Sequence, residues 1–266
     1  MVHARVHSGG LSEATLRARL GDAIPQMIDV MVARLGELGP PGLVDAIVSD
    51  PADAALVARL AGVARWALPV QVAVVVVEAP AGLPDLPRDT LADWTRPEPV
   101  LVLPDPDGPG RAAAVDRALC GCHAAIGPTV PLAQAARSLR WARQAFALSR
   151  HGILGSGPVR CDEHVSTLLL LADTDLARAL VRSRLAPLGR LRPGQQELVA
   201  RTMLAWLELG TSTVDVARHM HVHPQTVRYR LRRVQELFGD ELRDPQRRFE
   251  LVLALRVREL LDNSAV

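Results

Sequence analysis

Apolar residues recur along this chain with two different periods, and the change of period divides it. Leu16, Leu20, Ile24, Ile28, Val32 and Leu35 fall three or four positions apart, the spacing of one helix face, and predict a helix over 11–38. Gly39-Pro40-Pro41-Gly42 interrupts the pattern, and further helices are expected between Leu43 and Leu68. Val70 to Glu78 is instead a continuous run rich in β-branched residues, as expected of a strand buried on both faces. A Pro-rich loop from Pro80 to Pro87 follows, then a second strand at Val100 to Leu103. Asp105 to Gly110 reads as a turn into a helix over 111–122. His123 to Val130 reads as a third strand, and Leu132 to Ser149 as an amphipathic helix. Beyond Asp162 strand signals nearly vanish. Helices are expected at 162–172, 174–186 and 194–209, the last stopped by Gly210. Between them, only 187–194 has the Pro and Gly content of a hinge.

From Thr211 to Gly239 the pattern tightens into two short helices joined by a polar turn. Ser212 can accept from the backbone at the start of the first, with Asp215 placed three residues on as a capping-box acid. Val214, Ala217 and Met220 would give that helix its buried side. After His221-Val222-His223, Pro224 suits the first position of a second helix, where a missing N–H leaves nothing unpaired. Val227, Leu231, Val234 and Phe238 recur at 4-3-4 spacing and form one apolar stripe. The other side carries Gln225, Tyr229 and Arg232, flanked by Thr226, Arg228 and Arg233. One face buried to fix the angle and one polar face offered outward is the plan of a DNA-reading helix-turn-helix. A last helix is expected after it, capped by Asp244, opened by Pro245 and packed through Phe249, Val252, Leu253 and Leu260.

Charge sharpens this picture only when it is read locally. The chain is formally +2 overall, which by itself says little about nucleic acid. From Arg218 through Arg233, however, there are five arginines and no acid, and residues 190–266 carry a net +3 against −1 for the remainder. The surplus lies where phosphates would be met. Every basic side chain is arginine; that follows the Ala-, Gly- and Pro-rich composition and carries no functional weight.

The segment HPQTVRYRLRRVQELFG, followed by RDPQRRFELVLALR, strongly resembles the C-terminal helix-turn-helix of PucR/CdaR-type bacterial transcriptional regulators, over about Leu198 to Leu260. The resemblance implies a Fis-like reading head acting as a homodimer or higher homo-oligomer on double-stranded DNA, with an inverted-repeat operator. It implies that Gln225, Thr226, Arg228 and Tyr229 enter the groove, while Arg232 and Arg233 hold the backbone. It also implies that His223 caps the recognition helix. Arg230 sits beside the apolar stripe, where pairing with an acid is expected. His219, His221 and His223 alternate around the turn; phosphate contact and capping account for them better than a metal or pH switch does.

The stretch from Val100 to Phe146 is similar, more weakly, to the second half of a GGDEF-type cyclase fold, a middle domain found in the same regulators. The turn that would carry the Gly-Gly-Asp/Glu-Glu-Phe motif here reads Thr95-Arg96-Pro97-Glu98-Pro99. Without its glycines and acids neither close phosphate approach nor metal holding is supported, so cyclase activity is not expected. Asp105 to Gly110 lacks the spacing of a phosphate-binding loop. Cys120, Cys122 and His123 with Cys161 and His164 could in principle supply four zinc ligands, but the C-x-C spacing fits buried free cysteines better. No catalytic residues, metal or cofactor are assigned.

Length and composition fit these readings. The chain has 266 residues, 48% apolar but 3% aromatic, so its core must be built from Leu, Val and Ala. The longest apolar run is far short of the roughly 20 residues a membrane helix needs. The first residues do not read as a secretory signal, and three cysteines are not the number expected of a secreted disulfide framework. A cytoplasmic protein without membrane partners is expected. The fold class expected is α+β and predominantly helical: a helical region over 1–68, a small α/β regulatory domain over 69–160, and an all-α region over 161–266 holding the helix-turn-helix. The function expected is sequence-specific transcriptional regulation, answering to an effector the sequence does not name. A nucleotide-handling α/β domain with an appended helix-turn-helix, and a protein-interaction module, are the alternatives.

Overall fold

The computed structural model describes residues 42–78, 84–155, 157–210 and 212–262. The helix expected over 11–38 lies outside them. In chain order the elements are α1 (Leu43–Val48), α2 (Ala54–Ala64), β1 (Gln71–Val77), β2 (Leu91–Asp93), β3 (Val100–Pro104), α3 (Arg111–Ala118), β4 (Ala124–Ile126), β5 (Val130–Pro131) and α4 (Ala135–Arg150). They continue with β6 (Pro158–Arg160), α5 (Val165–Leu170), α6 (Thr174–Arg184), α7 (Pro193–Leu209), α8 (Thr213–His219), α9 (Pro224–Phe238) and α10 (Pro245–Asp262). The protein is α+β and predominantly helical. The described residues divide into two compact units, one formed up to residue 118 together with 129–139, the other by 119–128 together with those from 140 onward.

In the first unit β1 is buried along Val72–Val77 and pairs antiparallel with β3, from Val72 opposite Pro104 to Val76 opposite Val100. β2 joins the far edge of β3, and β5 pairs with Gln71 and Val72. α2 begins at Asp53, whose carboxylate accepts from Ala55 N and Leu56 N at 3.0 and 3.1 Å, satisfying two otherwise orphaned donors. The buried Ser138 hydroxyl accepts from Val74 N at 2.9 Å.

Two expectations are corrected here, and two short strands are added. The strand expected over 123–130 is two strands, β4 pairing parallel with β6 and β5 antiparallel with β1, because Gly127-Pro128 interrupts the ladder. β2 and β6, three residues each, are too short to show any alternation. The helix expected over 111–122 stops at Ala118, and Gly121 turns the chain at φ +79°.

The second unit is a helical assembly around Leu188, Leu191, Val199, Met203, Leu204, Val234, Phe238, Leu251, Ala254 and Leu255. α10 packs on α6 and α7, and α9 on α7 and α8. Residues 187–194 do not behave as a hinge. Leu188 and Leu191 are buried in this core, and Gln196 Nε2 donates to Leu191 O at 2.8 Å. The helix expected over 162–172 is a 3-10 turn at Cys161–His164 followed by α5.

Candidate nucleic-acid interface

α8 starts at Ser212, whose Oγ accepts from Asp215 N at 3.3 Å. The Asp215 carboxylate does not close a capping box; it accepts from Arg218 Nη1 at 3.0 Å. The buried residues of α8 are Val216 and Ala217, while Val214 is 51% exposed. Ala217 and Met220 lie on the packed side as expected, and Val216 takes the place expected of Val214.

The turn after α8 is a Schellman motif. Val222 N donates to Ala217 O at 3.0 Å and His221 N to Arg218 O at 3.3 Å, satisfying two terminal carbonyls of α8. This geometry forces the residue between them into the left-handed region, and here that residue is His221, at φ +53°. Val222 then packs against a small core of Ala205, Val216, Ala217 and Val227, which fixes the second helix against the first. His223 Nδ1 accepts from Gln225 N at 3.2 Å, with Pro224 at the first helical position.

On α9, Val227, Val234 and Phe238 are buried and Leu231 packs beside them, so the expected stripe is the packing face. Gln225, Arg228, Tyr229, Arg232 and Arg233 are exposed and Thr226 is half-buried, which places these six residues together along the outer side of one helix. Their charges are not equivalent. Arg233 is paired with Glu236 one turn on, and Arg218 with Asp215. Among the described residues Arg228 and Arg232 have no carboxylate partner. Arg230 does not meet an acid: its Nη1 donates to Thr202 Oγ1 at 3.3 Å, because the surface of α7 beside it offers a hydroxyl. Glu236 was overlooked in the sequence because it follows the arginine run, yet it lies on the same face.

α10 is capped by Asp244, which accepts from Gln246 N at 2.8 Å and Arg247 N at 3.1 Å. Its packing face is Leu251, Ala254, Leu255 and Val257; Phe249 is 56% exposed rather than buried. Ion pairs bind this helix to the others, Arg184–Glu250 at 2.7 Å, Arg256–Glu208 at 2.7 Å and Arg258–Glu197 at 3.2 Å. A groove of about 480 Å³ lies between α7, α8 and α10, and none of its lining comes from α9.

Residues 199–257 match the family model of the PucR C-terminal helix-turn-helix domain. The chain carries a PucR-type helix-turn-helix. This PucR-type segment spans most of α7, then α8 and α9, and α10 as far as Val257, the four helices just described. The chain is 33% identical over 97 residues to the purine catabolism regulatory protein of Bacillus subtilis, covering 36% of this chain and 18% of that one. An uncharacterised protein of Mycobacterium tuberculosis is 31% identical over 139 residues, covering 51% and 32% respectively. The chain thus spans less than a third of either relative. A solved regulator of polyketide synthase expression from Bifidobacterium adolescentis aligns over 83% of this chain and 92% of that one, at 21% identity and a TM-score of 0.35.

Outside the PucR-type segment, Thr95–Pro99 closes the β2–β3 hairpin. Asp93 accepts from Thr95 N at 3.0 Å and pairs with Arg96 at 2.7 Å, and Arg96 also pairs with Asp45. Burial pushes the Asp93 carboxyl up, but the hydrogen bonds from Thr95 and Arg96 outweigh it and hold the group below its ordinary value. Cys120 is exposed, Cys122 half-buried and Cys161 buried. The His123 ring lies tilted against that of Phe146, centroids 5.0 Å apart, and its Nε2 is 2.8 Å from Ser149 Oγ. Among the described residues no three His, Cys, Asp or Glu side chains are grouped to hold a metal.

Proposed function

We propose that the protein is a sequence-specific DNA-binding transcriptional regulator, non-enzymatic and cytoplasmic, that inserts α9 into the major groove. The observation that carries this is the outer face of α9: Arg228 and Arg232, without a carboxylate partner among the described residues, beside exposed Gln225 and Tyr229, on a helix fixed by a capped partner and a Schellman turn. Gln225, Thr226, Arg228 and Tyr229 read base edges, and Arg232 and Arg233 hold phosphates. His223 and Asp244 serve as helix caps and Ser212 starts the scaffold helix. Two copies act together on an inverted repeat whose half-sites lie one DNA turn apart, ~34 Å.

We further assign residues 69–160 to a regulatory α/β domain of GGDEF-like descent without cyclase chemistry, residues 161–266 to the reading region, and residues 1–68 to a separate helical region. The purine catabolism name of the Bacillus relative supports regulation of a metabolic pathway, with a small-molecule effector acting through the α/β domain. Selection of bound fragments from the source genome, at near-physiological salt with excess random competitor, tests the proposal. Recovery of fragments sharing an inverted repeat is expected. Recovery of all fragments equally, or of none with or without cell metabolites, would sink it.

A further inference from the structure

We infer that Arg230 is a positioning residue for DNA reading: tied to the buried Thr202 hydroxyl, it sets the rotation of α9 and so the base preference, without touching DNA. This rests on the DNA-reading function proposed above.

The stripe that seats α9 is apolar and close-packed, which sets the roll of the helix coarsely, and a directional hydrogen bond to a neighbouring helix narrows it further. At 100° per residue, Arg230 falls about 70° from the centre of that stripe and about 130° from the centre of the exposed face. It is therefore turned away from the residues that would read bases. Thr202 is fully buried on α7, and its single hydroxyl proton goes to Leu198 O at 2.7 Å. The oxygen is left as an acceptor toward Arg230 Nη1 at 3.3 Å. The chain of donors thus runs one way, from the α9 guanidinium through the hydroxyl to the α7 backbone. Among the described residues no other side-chain hydrogen bond joins α9 to α7.

Such a link has leverage. A roll of ~15° moves side-chain atoms on a helix of ~6 Å radius by ~1.5 Å. A recognition constellation has to be held within ~0.5 Å, usually by hydrogen bonds from a supporting layer. Loss of the link should thus blur the discrimination between bases, while phosphate contacts, which tolerate such a shift, persist.

The test compares wild type with Thr202→Val, Arg230→Met and the double variant, on the selected operator and on a scrambled duplex across a salt series. Expected are a roughly tenfold fall in the operator-to-scrambled ratio for each single variant, with no further fall in the double. The salt slope and the affinity for scrambled DNA should stay at wild-type values. A shallower slope and weaker scrambled binding for Arg230→Met alone would place Arg230 on a phosphate and overturn the inference; so would an unchanged ratio in both single variants. Should Arg230→Met not fold, Thr202→Val decides on its own. Should wild type fail to discriminate any duplex, the DNA-reading proposal falls with this role. The link itself is then read from thermal unfolding, where non-additive shifts in Tm support it and additive ones remove it.

Discussion

Arg228 and Arg232 share the exposed face of α9 and, among the described residues, lack carboxylate partners, but they sit one turn apart along the helix. The N-terminal turn of a recognition helix reaches base edges, and the later turns run beside the backbone. Arg228→Ala should therefore cost ~1–3 kcal/mol on the operator and relax preference at one position. Arg232→Ala should weaken all duplexes alike and lower the salt slope by about 1. Binding selections with each variant separate the two, and unchanged operator choice in Arg228→Ala means that α9 is placed wrongly. Glu236 supplies the opposite test. It pairs with Arg233 on this same face, so Glu236→Gln removes a negative charge and frees a guanidinium. Binding to random DNA at low salt should tighten by about 2- to 5-fold, given what exposed ion pairs are worth.

The cysteines differ for a related reason of environment. Burial, and then the charge of Asp162, push the Cys161 thiol up to about 12, whereas Cys120 is exposed. A thiol-specific reagent at pH 8 should modify Cys120 at once and Cys161 only on unfolding, as mass spectrometry of the labelled protein would show. The raised value also fixes a sign. Below about 9, the ordinary thiol value, folded and unfolded forms are both protonated and nothing is lost. Between about 9 and about 12 only the unfolded chain ionises, so stability falls as pH rises.

At the scale of elements, the turn between α8 and α9 holds a conflict between backbone and residue type. The Schellman geometry asks for glycine at the position His221 occupies at φ +53°. His221→Gly should stabilise the helical unit by ~0.5–1 kcal/mol, the left-handed penalty being partly offset by glycine's greater freedom when unfolded. A Tm that falls instead would show that the imidazole makes a contact worth more than the strain. No periodicity reveals such a conflict, because φ is imposed by the turn as a whole. What the sequence did show were features repeated over several turns or tied to a fixed chemical role. These include the stripe Val227–Leu231–Val234–Phe238, the cap at Asp244, the proline openings at 224 and 245, and the buried run of β1. The errors fall where a step of two residues changes the face. Val214 was expected inward and Val216 is; Phe249 was expected to pack and Leu251 does. Near the first turn of a helix both assignments satisfy the apolar spacing, and only contact with the neighbouring helices decides between them. The Arg230–Thr202 link was illegible because its partners are 28 residues apart and neither type announces the other.

At the scale of the whole molecule, the reading surface is small and the formal charge only +2, and both bear on how specificity could arise. One helix in one groove reaches a few base pairs, and a single module buries only ~600–1,000 Å² of protein surface. A genome offers ~10⁶ or more competing sites, and a modest excess of arginine binds all of them to some degree. Two reading heads joined by protein contacts multiply the discrimination of one, provided both face the same side of the duplex. That geometry gives the proposed pairing a sharp consequence. Inserting five base pairs between the half-sites turns one of them about half a helical turn away and lengthens the gap by ~17 Å. Affinity for the altered operator should drop by at least tenfold, toward that of an isolated half-site. Inserting ten base pairs restores the facing but not the distance, so it should recover part of the loss only if the link between heads can stretch. Gel-shift titrations of the three operators would read this directly. Equal affinity for all three would mean that each copy binds alone, and the specificity would then have to come from α9 and its immediate supports.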